Sequence, residues 1–416
     1  MNSALAALLG LAVAIVLIIR KVSPVYGLML GALIGGIAAG YPLLKTVDLM
    51  ISGIEEIIPA VIRILSAGVL SGVLIRTGGA ASISRTIVRR LGNRHVYLAL
   101  ALATMFLTGT GVFIDVAVIT VAPVAIMLGR QLGISKFRLL LTMVAGGKCG
   151  NIVSPNPNTI IAAENFDAPL SSVMLVNLIP AIVGLLLTVY VLLPLAPARG
   201  ELPEATPEEG PQADLPSFWA SMAGPLTAIL LLVLRPLAGV TVDPFIALPA
   251  GGLVGIVATR RWQELLPSLN FGLEKMAPVA VLLIGTGTIA GIIKASSIKD
   301  AVLALLAHWN IGETAVAPLS GALMSAATAS TTAGATIASA SFADIILAAG
   351  VSAVWGAAMV NAGATVLDHL PHGSFFHATG GSVEMKMNER LRMIPYETAV
   401  GLTLTLSSVA CYLLMA

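Results

Sequence analysis

Two apolar stretches of this chain, about 219 residues apart, repeat one another. EEIIPAVIRILSAGVLSG (55–72) and EKMAPVAVLLIGTGTIAG (274–291) place Pro59, Gly68 and Gly72 on Pro278, Gly287 and Gly291. A second pair, SPVYGLMLGALIGG (23–36) and DPFIALPAGGLVGI (243–256), keeps nearly the same offset through Pro24/Pro244, Gly31/Gly251 and Gly35/Gly255. The basic residues beside these segments do not repeat. Arg76, Arg85, Arg89, Arg90 and Arg94 follow the first copy, whereas the equivalent stretch of the second, 295–313, holds Lys299 alone. Basic residues are retained on the cytoplasmic side of a membrane. An apolar duplication with its charge on opposite sides therefore predicts two halves of inverted topology, from which secondary transporters build one central site.

Hydrophobic residues make up 57% of the 416 and charged residues 11%, more apolar surface than a soluble core of this length uses. Runs such as 57–75, 96–129, 172–195, 276–293, 344–367 and 395–416 approach or exceed the roughly 20 residues that a spanning helix needs. None alternates with the period of two that a membrane strand requires. The expected fold is an all-α polytopic membrane protein of two inverted-topology repeats, each with about five spanning helices, a re-entrant hairpin and a broken helix. The run 4–19 has Arg20-Lys21 after it and no basic residue before it, the reverse of a cleaved signal peptide, and reads as a retained first helix. A net charge of +2 spread between apolar runs offers no nucleic-acid-binding face. Two cysteines, Cys149 and Cys411, make no disulfide framework.

Placing Arg20-Lys21, residues 76–94 and Arg130/Lys136/Arg138 in the cytoplasm puts the N-terminus outside. The second half has its own clusters, Arg260-Arg261 and Lys386/Arg390/Arg392, where the first half has few. A multi-pass protein of a bacterial inner membrane, with both termini periplasmic, is the expectation. Residues 1–195 and 219–416 form the two repeats. Between them, 196–218 carries five prolines and five acidic residues and reads as a cytoplasmic linker, too polar to bury a core of its own.

Four interruptions of the apolar runs fall in corresponding pairs. TGTGVFID (108–115) has Gly109 and Gly111 for a turn, the hydroxyls of Thr108 and Thr110, and Asp115 at or just after the start of a returning helix. Its mate, 328–341, is rich in small hydroxyl residues around Gly334, with Thr331 and Thr332 among them. Close packing of small residues is the structural alternative for both. The second break, GGKCGNIVSPNPNTI (146–160), contains Pro155 and Pro157, which cannot donate to a helix, beside Asn156, Asn158 and Thr159. Its mate, 362–377, contains Pro371, Gly373 and Ser374 together with Asp368, His369, His372 and His377. Backbone opened at membrane depth is tolerated where protein or a wet cavity receives it, and the helix that follows presents N–H groups to an anion.

An ionisable group at mid-membrane costs about 2.5–3.5 kcal/mol on insertion scales and marks a functional position. Asp115, Asp368, His369 and Lys148 are accordingly the candidate ion-coupling groups, because burial alters the balance between their charged and neutral forms. Asp115 reads alternatively as a helix cap, Lys148 as the partner of an aspartate, and His372 and His377 as boundary residues. Asp368, His369, His372 and His377 do not form a metal motif, since Pro371 disrupts the helical face such ligands share. Neither a Walker-type GxxxxGK[ST] pattern nor any cofactor motif is present.

GVFIDVAVITVAPVA (111–125), the basic loop after it, the proline-broken segment and the late run HLPHGSFF (369–376) resemble the gluconate permease family of proton symporters, part of a wider superfamily of elevator-type ion transporters. The resemblance implies a homodimer in which a scaffold of outer helices holds a moving transport domain, and substrates that are small hydroxylated carboxylates. Carried over, the matching site draws on Asp115 with its hairpin tip, the segment around Asn156, and His369 with Ser374; together with the breaks read above, the expected substrate site is Thr108, Thr110, Asn156, Asn158, Thr159, Thr331, Thr332 and Ser374, and the expected ion-coupling groups are Asp115, Asp368, His369 and Lys148. The SPNPNT segment also resembles the sodium-binding motif of related dicarboxylate carriers. The expected activity is transport, not catalysis: proton-coupled symport of a small organic acid through the lipid bilayer. The rivals are a sodium-coupled carrier, an anion channel using the same breaks as a filter, and an intramembrane enzyme with Asp115 paired to Asp368.

Overall fold

The computed structural model describes residues 3–197, 200–203, 215–238, 240, 242–297, 301, 313–371 and 373–415. Most of the linker, Lys299 and His372 lie outside the described residues. The regular elements among those described are all helices, with no strand. In the first half the order is α1 (Ser3–Ile19), α2 (Pro24–Ala38), α3 (Leu43–Arg76), α4 (Gly79–Leu91), α5 (Val96–Gly109), α6 (Ile114–Leu132), α7 (Lys136–Asn151) and α8 (Pro157–Asn165). It closes with α9 (Leu170–Val176) and α10 (Leu178–Leu187), which runs through a π-helical turn into α11 (Leu193–Leu195). The second half contains α12 (Phe218–Ala238), α13 (Pro244–Thr259), α14 (Leu265–Lys294), α15 (Val316–Thr328), α16 (Thr331–Ala348), α17 (Ala353–Gly363), α18 (Ser374–Ser382), α19 (Met387–Arg392) and α20 (Ile394–Met415).

Among the described residues, six helical stretches are long and apolar enough to cross a membrane: Leu43–Arg76, Ile114–Leu132, Leu170–Leu195, Trp262–Lys294, Thr331–Ala348 and Met387–Met415. Helices α1, α2, α5, α13 and α15, and the Phe218–Leu234 part of α12, are apolar but shorter. The 34 residues of α3 span about 51 Å at 1.5 Å per residue, well beyond the roughly 30 Å of hydrocarbon, so tilt or protrusion is required. Pro59 and Pro278 sit inside α3 and α14 without ending them.

The repeated glycines explain how these two long helices meet. Without a hydrophobic effect between helices in lipid, association rests on close van der Waals approach, which small residues permit. A Cβ on Gly68 would lie 2.7 Å from the Gly272 carbonyl oxygen, and one on Gly287 would lie 2.8 Å from that of Gly53. Neither position has room for a side chain. The helices run antiparallel, and Gly53/Gly272 and Gly68/Gly287 are repeat equivalents, so each contact is the image of the other. The same holds nearby, where Gly35 faces Ile292 and its equivalent Gly255 faces Val73.

Inner and outer helices differ in exposure. From Lys136 to Asn151, α7 is buried at every residue except the half-buried Arg138, and α17 is buried from Trp355 onward. By contrast Leu30, Ile51, Leu230, Val257 and Leu406 leave apolar side chains exposed on α2, α3, α12, α13 and α20, surfaces suited to hydrocarbon rather than water. The inner helices carry the breaks, and the outer ones enclose them.

Three sequence expectations are resolved here. The run 344–367 is not one helix, because Gly350 at φ +91 separates α16 from α17. The turn in the second hairpin falls at Ala329, φ +47, within the 328–341 break. Gly334 is buried within α16 against Ser325, so there the close-packing alternative is the observed one. Arg390, grouped by charge with Lys386 and Arg392, is buried against Glu397 rather than lying in a basic loop.

Candidate functional site

Each hairpin tip rests on the broken segment of its own half, Gly111 near Pro155 and Ala329 against Gly373. This brings the starts of four helices, two from each half, around one cavity of about 1000 Å³. Its walls are Phe113–Val116 at the start of α6, Asn158 of α8, Ser330–Ala333 of α16, and Ser374 and Phe375 of α18. Pro278, Leu282 and neighbouring residues of α14 close the outer side, with Ser23–Val25 from the turn before α2. The first N–H groups of a helix lack intrahelical partners and carry its positive dipole end. Side chains cap α8, through Asn156 Oδ1 and Thr159 N (3.0 Å), and α16, through Ser330 Oγ and Ala333 N (3.3 Å). The starts of α6 and α18 have no side-chain cap. Their donors are the ones left for an anion.

The site residues expected from sequence separate into three groups. Asp115, Asn158, Thr331, Thr332 and Ser374 line the cavity. Asp115 is the second residue of α6, whose cap position is Phe113; its carboxylate caps nothing and has no hydrogen-bond partner among the described residues. Thr332 donates to Asn158 Oδ1 at 2.7 Å, which fixes the amide with Nδ2 buried and without a protein partner. Asn151 Nδ2, also on the wall, is another such donor. An unsatisfied buried donor costs roughly 1–3 kcal/mol, so these two amides favour a ligand oxygen.

A second group lies behind the wall. Asn156 donates to Asn151 O at 2.8 Å while its oxygen accepts from Thr159, and Asn361 Nδ2 donates to Thr159 Oγ1 at 3.0 Å. Asn156 and Thr159 therefore hold the break open and do not face the cavity. Thr108 and Thr110 form the third group. Their hydroxyls donate to Thr104 O (3.0 Å) and Leu107 O (2.7 Å) of their own helix. The small hydroxyl residues of this hairpin thus complete the backbone of α5.

Lys148, Asp368 and His369 form a buried cluster reached from the cavity through Thr331. The Thr331 hydroxyl donates to Asp368 Oδ2 at 2.5 Å. Lys148 Nζ, fully buried, donates to Asp368 Oδ1 (2.6 Å) and Thr365 O (2.7 Å) and lies 3.0 Å from His369 Nδ1. His369 Nε2 lies 3.1 Å from both Ile394 O and Thr398 Oγ1, and Nδ1 lies 3.0 Å from both Lys148 Nζ and Asp368 Oδ1. The alternative reading of Lys148 as an aspartate's partner is the one observed. Beyond this cluster Glu397 pairs with Arg390, which also donates to Phe376 O and Thr379 Oγ1, each at 3.1 Å.

Sequence reasoning missed Asn151, Glu397, Arg390, Glu274 and Lys275. The last two line the cavity from α14. Lys275 stacks its ammonium over the Phe271 ring at 5.4 Å and has no acidic partner among the described residues. One sequence signal pointed to it: the repeat places Lys275 where the first half has Glu56.

Residues 3–248 match the family model described as GntP family permease, and residues 220–310 match that of the Na+-H+ antiporter family. An uncharacterized transporter of Haemophilus influenzae is 52% identical over 406 residues, 98% of this chain and 97% of that one. A gluconate permease of Pseudomonas aeruginosa is 30% identical over 63% of this chain and 57% of its own length. A gluconate permease of Zymomonas mobilis is 24% identical over 90% of each. Among solved structures, the YdaH transporter of Alcanivorax borkumensis superposes with a TM-score of 0.63 at 15% identity, covering 89% of this chain and 88% of that one. The last likeness is one of fold.

Proposed function

Since this chain belongs to the GntP permease family, we propose that it is a proton-coupled symporter for a small hydroxylated carboxylate such as gluconate or a related sugar acid. The observation that carries this reading is the cavity on which four helix starts converge. The substrate carboxylate is received by the uncapped N–H groups of α6 and α18 and by Lys275, and its hydroxyls accept from Asn151 Nδ2 and Asn158 Nδ2. An ionised Asp115 on the same wall repels that carboxylate. A proton on Asp115 therefore favours anion binding, and by linkage the anion favours the proton. Thr331 connects the wall to Asp368 and His369, which supply a second place for a proton.

The reciprocal glycine contacts between antiparallel α3 and α14 support inverted repeats, since a two-fold axis in the membrane plane makes equivalent helices antiparallel. In this reading the enclosed helices move as a transport domain within an outer scaffold, two copies form a dimer, and the protein sits in a bacterial inner membrane with periplasmic termini. A sodium-coupled carrier is the second reading, favoured by the match of residues 220–310 and by the unpartnered Asn361 carbonyl.

Proteoliposomes tested for uptake of labelled gluconate under an imposed inward proton gradient should accumulate it, with saturation and counterflow that a channel lacks. Accumulation driven by sodium alone assigns the second reading; indifference to both gradients defeats carrier coupling. Asp115→Asn should keep counterflow and lose proton-driven accumulation, and equal proton drive in the variant removes Asp115 from coupling. Lys275→Gln should raise the KM for gluconate about tenfold, the order of one charge-assisted hydrogen bond, with maximal counterflow little changed. An unaltered KM removes Lys275 from carboxylate binding.

A further inference from the structure

A second, smaller cavity of about 380 Å³ lies beside the turn between α12 and α13. At its wall Arg63 of α3 joins two carboxylates from separate elements. Its guanidinium pairs with Glu164 of α8 and reaches Asp243, the cap of α13, from Nε (3.1 Å) and Nη2 (2.8 Å). Three elements distant in sequence are thus tied at one partly buried point. Burial on its own would raise the Asp243 carboxyl, but the Arg63 guanidinium and the Phe245 N–H bring it below its usual range, which keeps this arm charged at neutral pH.

The internal repeat relates this cavity to the large one. Arg63 corresponds to Leu282 and Pro244 to Pro24, and Leu282 and Pro24 both line the large cavity. The smaller cavity has the Arg63 guanidinium and the Glu164 and Asp243 carboxylates, whereas the large one has Leu282 and Ser23 at the positions equivalent to Arg63 and Asp243. Two equivalent vestibules therefore differ in state, one wide and unlatched, the other narrow and crossed by charge.

We propose that Arg63, Glu164 and Asp243 form an ionic latch between the outer helices and the inner α8, holding the chain with the large cavity open and breaking when the smaller one opens. This rests on the alternating-access reading above, in which the two vestibules lie on opposite faces. Bidentate pairing supplies geometric specificity, while partial exposure keeps the bias modest, so the latch tilts an equilibrium without locking it. None of these three residues lines the large cavity.

Accessibility of single cysteines tests the latch without any substrate. Full-length protein in liposomes, with Cys411→Ala and the buried Cys149 retained, carries either Ser171→Cys on the smaller cavity or Val281→Cys on the larger. A membrane-impermeant maleimide is applied to each face in turn. Arg63→Gln, and separately Asp243→Asn, which still caps α13, should speed labelling at 171 about fivefold, the order of a pair at partly exposed sites, and slow it at 281. Unchanged rates in folded variants overturn the latch. So does faster labelling at 171 without slowing at 281, which marks local opening instead of an exchange of states. If Arg63→Gln does not fold, Asp243→Asn decides alone. If the rates shift as expected in a protein that carries out no uptake or counterflow, the latch stands and the transport reading falls.

Discussion

Lys148→Met should abolish the proposed uptake and lower the stability of the folded chain by roughly 3–5 kcal/mol, the cost of leaving one member of a buried ion pair uncompensated. The ammonium is fully buried and its three polar neighbours are Asp368, His369 and the Thr365 carbonyl. Methionine fills a similar volume, so the loss is electrostatic and not a cavity. Total stabilities are about 5–15 kcal/mol, so the folded yield should fall visibly in size-exclusion profiles and thermal unfolding. Adding Asp368→Asn removes the stranded charge and should restore folding, because neutral replacement of a buried pair is often tolerated. Transport should stay absent in the double variant, since it lacks both the Lys148 ammonium and the charged carboxylate that accepts from Thr331 at the cavity wall. A folded double variant with ordinary uptake would reduce the cluster to a structural support.

Arg390→Met should destabilise the chain by a similar roughly 3–5 kcal/mol for the same reason, at a site further from the cavity. Arg390 is 2% exposed and Glu397 0%. The guanidinium pairs with Glu397, donates to Phe376 O and Thr379 Oγ1, and stacks over the Phe376 ring at 4.6 Å, joining α18, α19 and α20. Arg390→Lys should recover only part of the loss, since an ammonium cannot reproduce the planar fork or the stacking. Thermal unfolding in detergent measures both. Unfolding of Arg390→Met at the wild-type temperature would mean that Glu397 finds another partner or a proton. Glu397→Gln, in which the carboxylate is already neutral, should then differ little from wild type.

The places where these helices stop were largely legible in the sequence. Proline removes a donor and glycine admits positive φ, and those local effects fix the ends of α7 at Asn151 and α5 at Gly109 regardless of what lies around them. The second hairpin shows the limit. Its turn is at Ala329, a residue with no intrinsic preference for φ +47, while Gly334 serves a helix contact with Ser325; composition could not tell a glycine needed for a turn from one needed for proximity. The hydroxyls of Thr108 and Thr110 were likewise ambiguous, because serine and threonine satisfy their own helix as readily as a ligand.

The site divides along the same line. Asp115, Asp368, His369 and Lys148 stand out in the sequence because charge is costly inside an apolar run, a property of each residue by itself. That Lys148 pairs with Asp368 across 220 positions, that Arg390 is sealed against Glu397, and that Lys275 and Arg63 face cavities and not water depend on which helix faces pack together. Composition and the internal repeat determined that this chain is a membrane-embedded helical protein with interruptions in matched positions, since hydropathy and backbone stereochemistry act locally. Only the tertiary structure decided which polar groups satisfy one another and which remain for a ligand, because hydrogen bonds and ion pairs are made at about 3 Å, a distance that residues far apart in sequence reach only through folding.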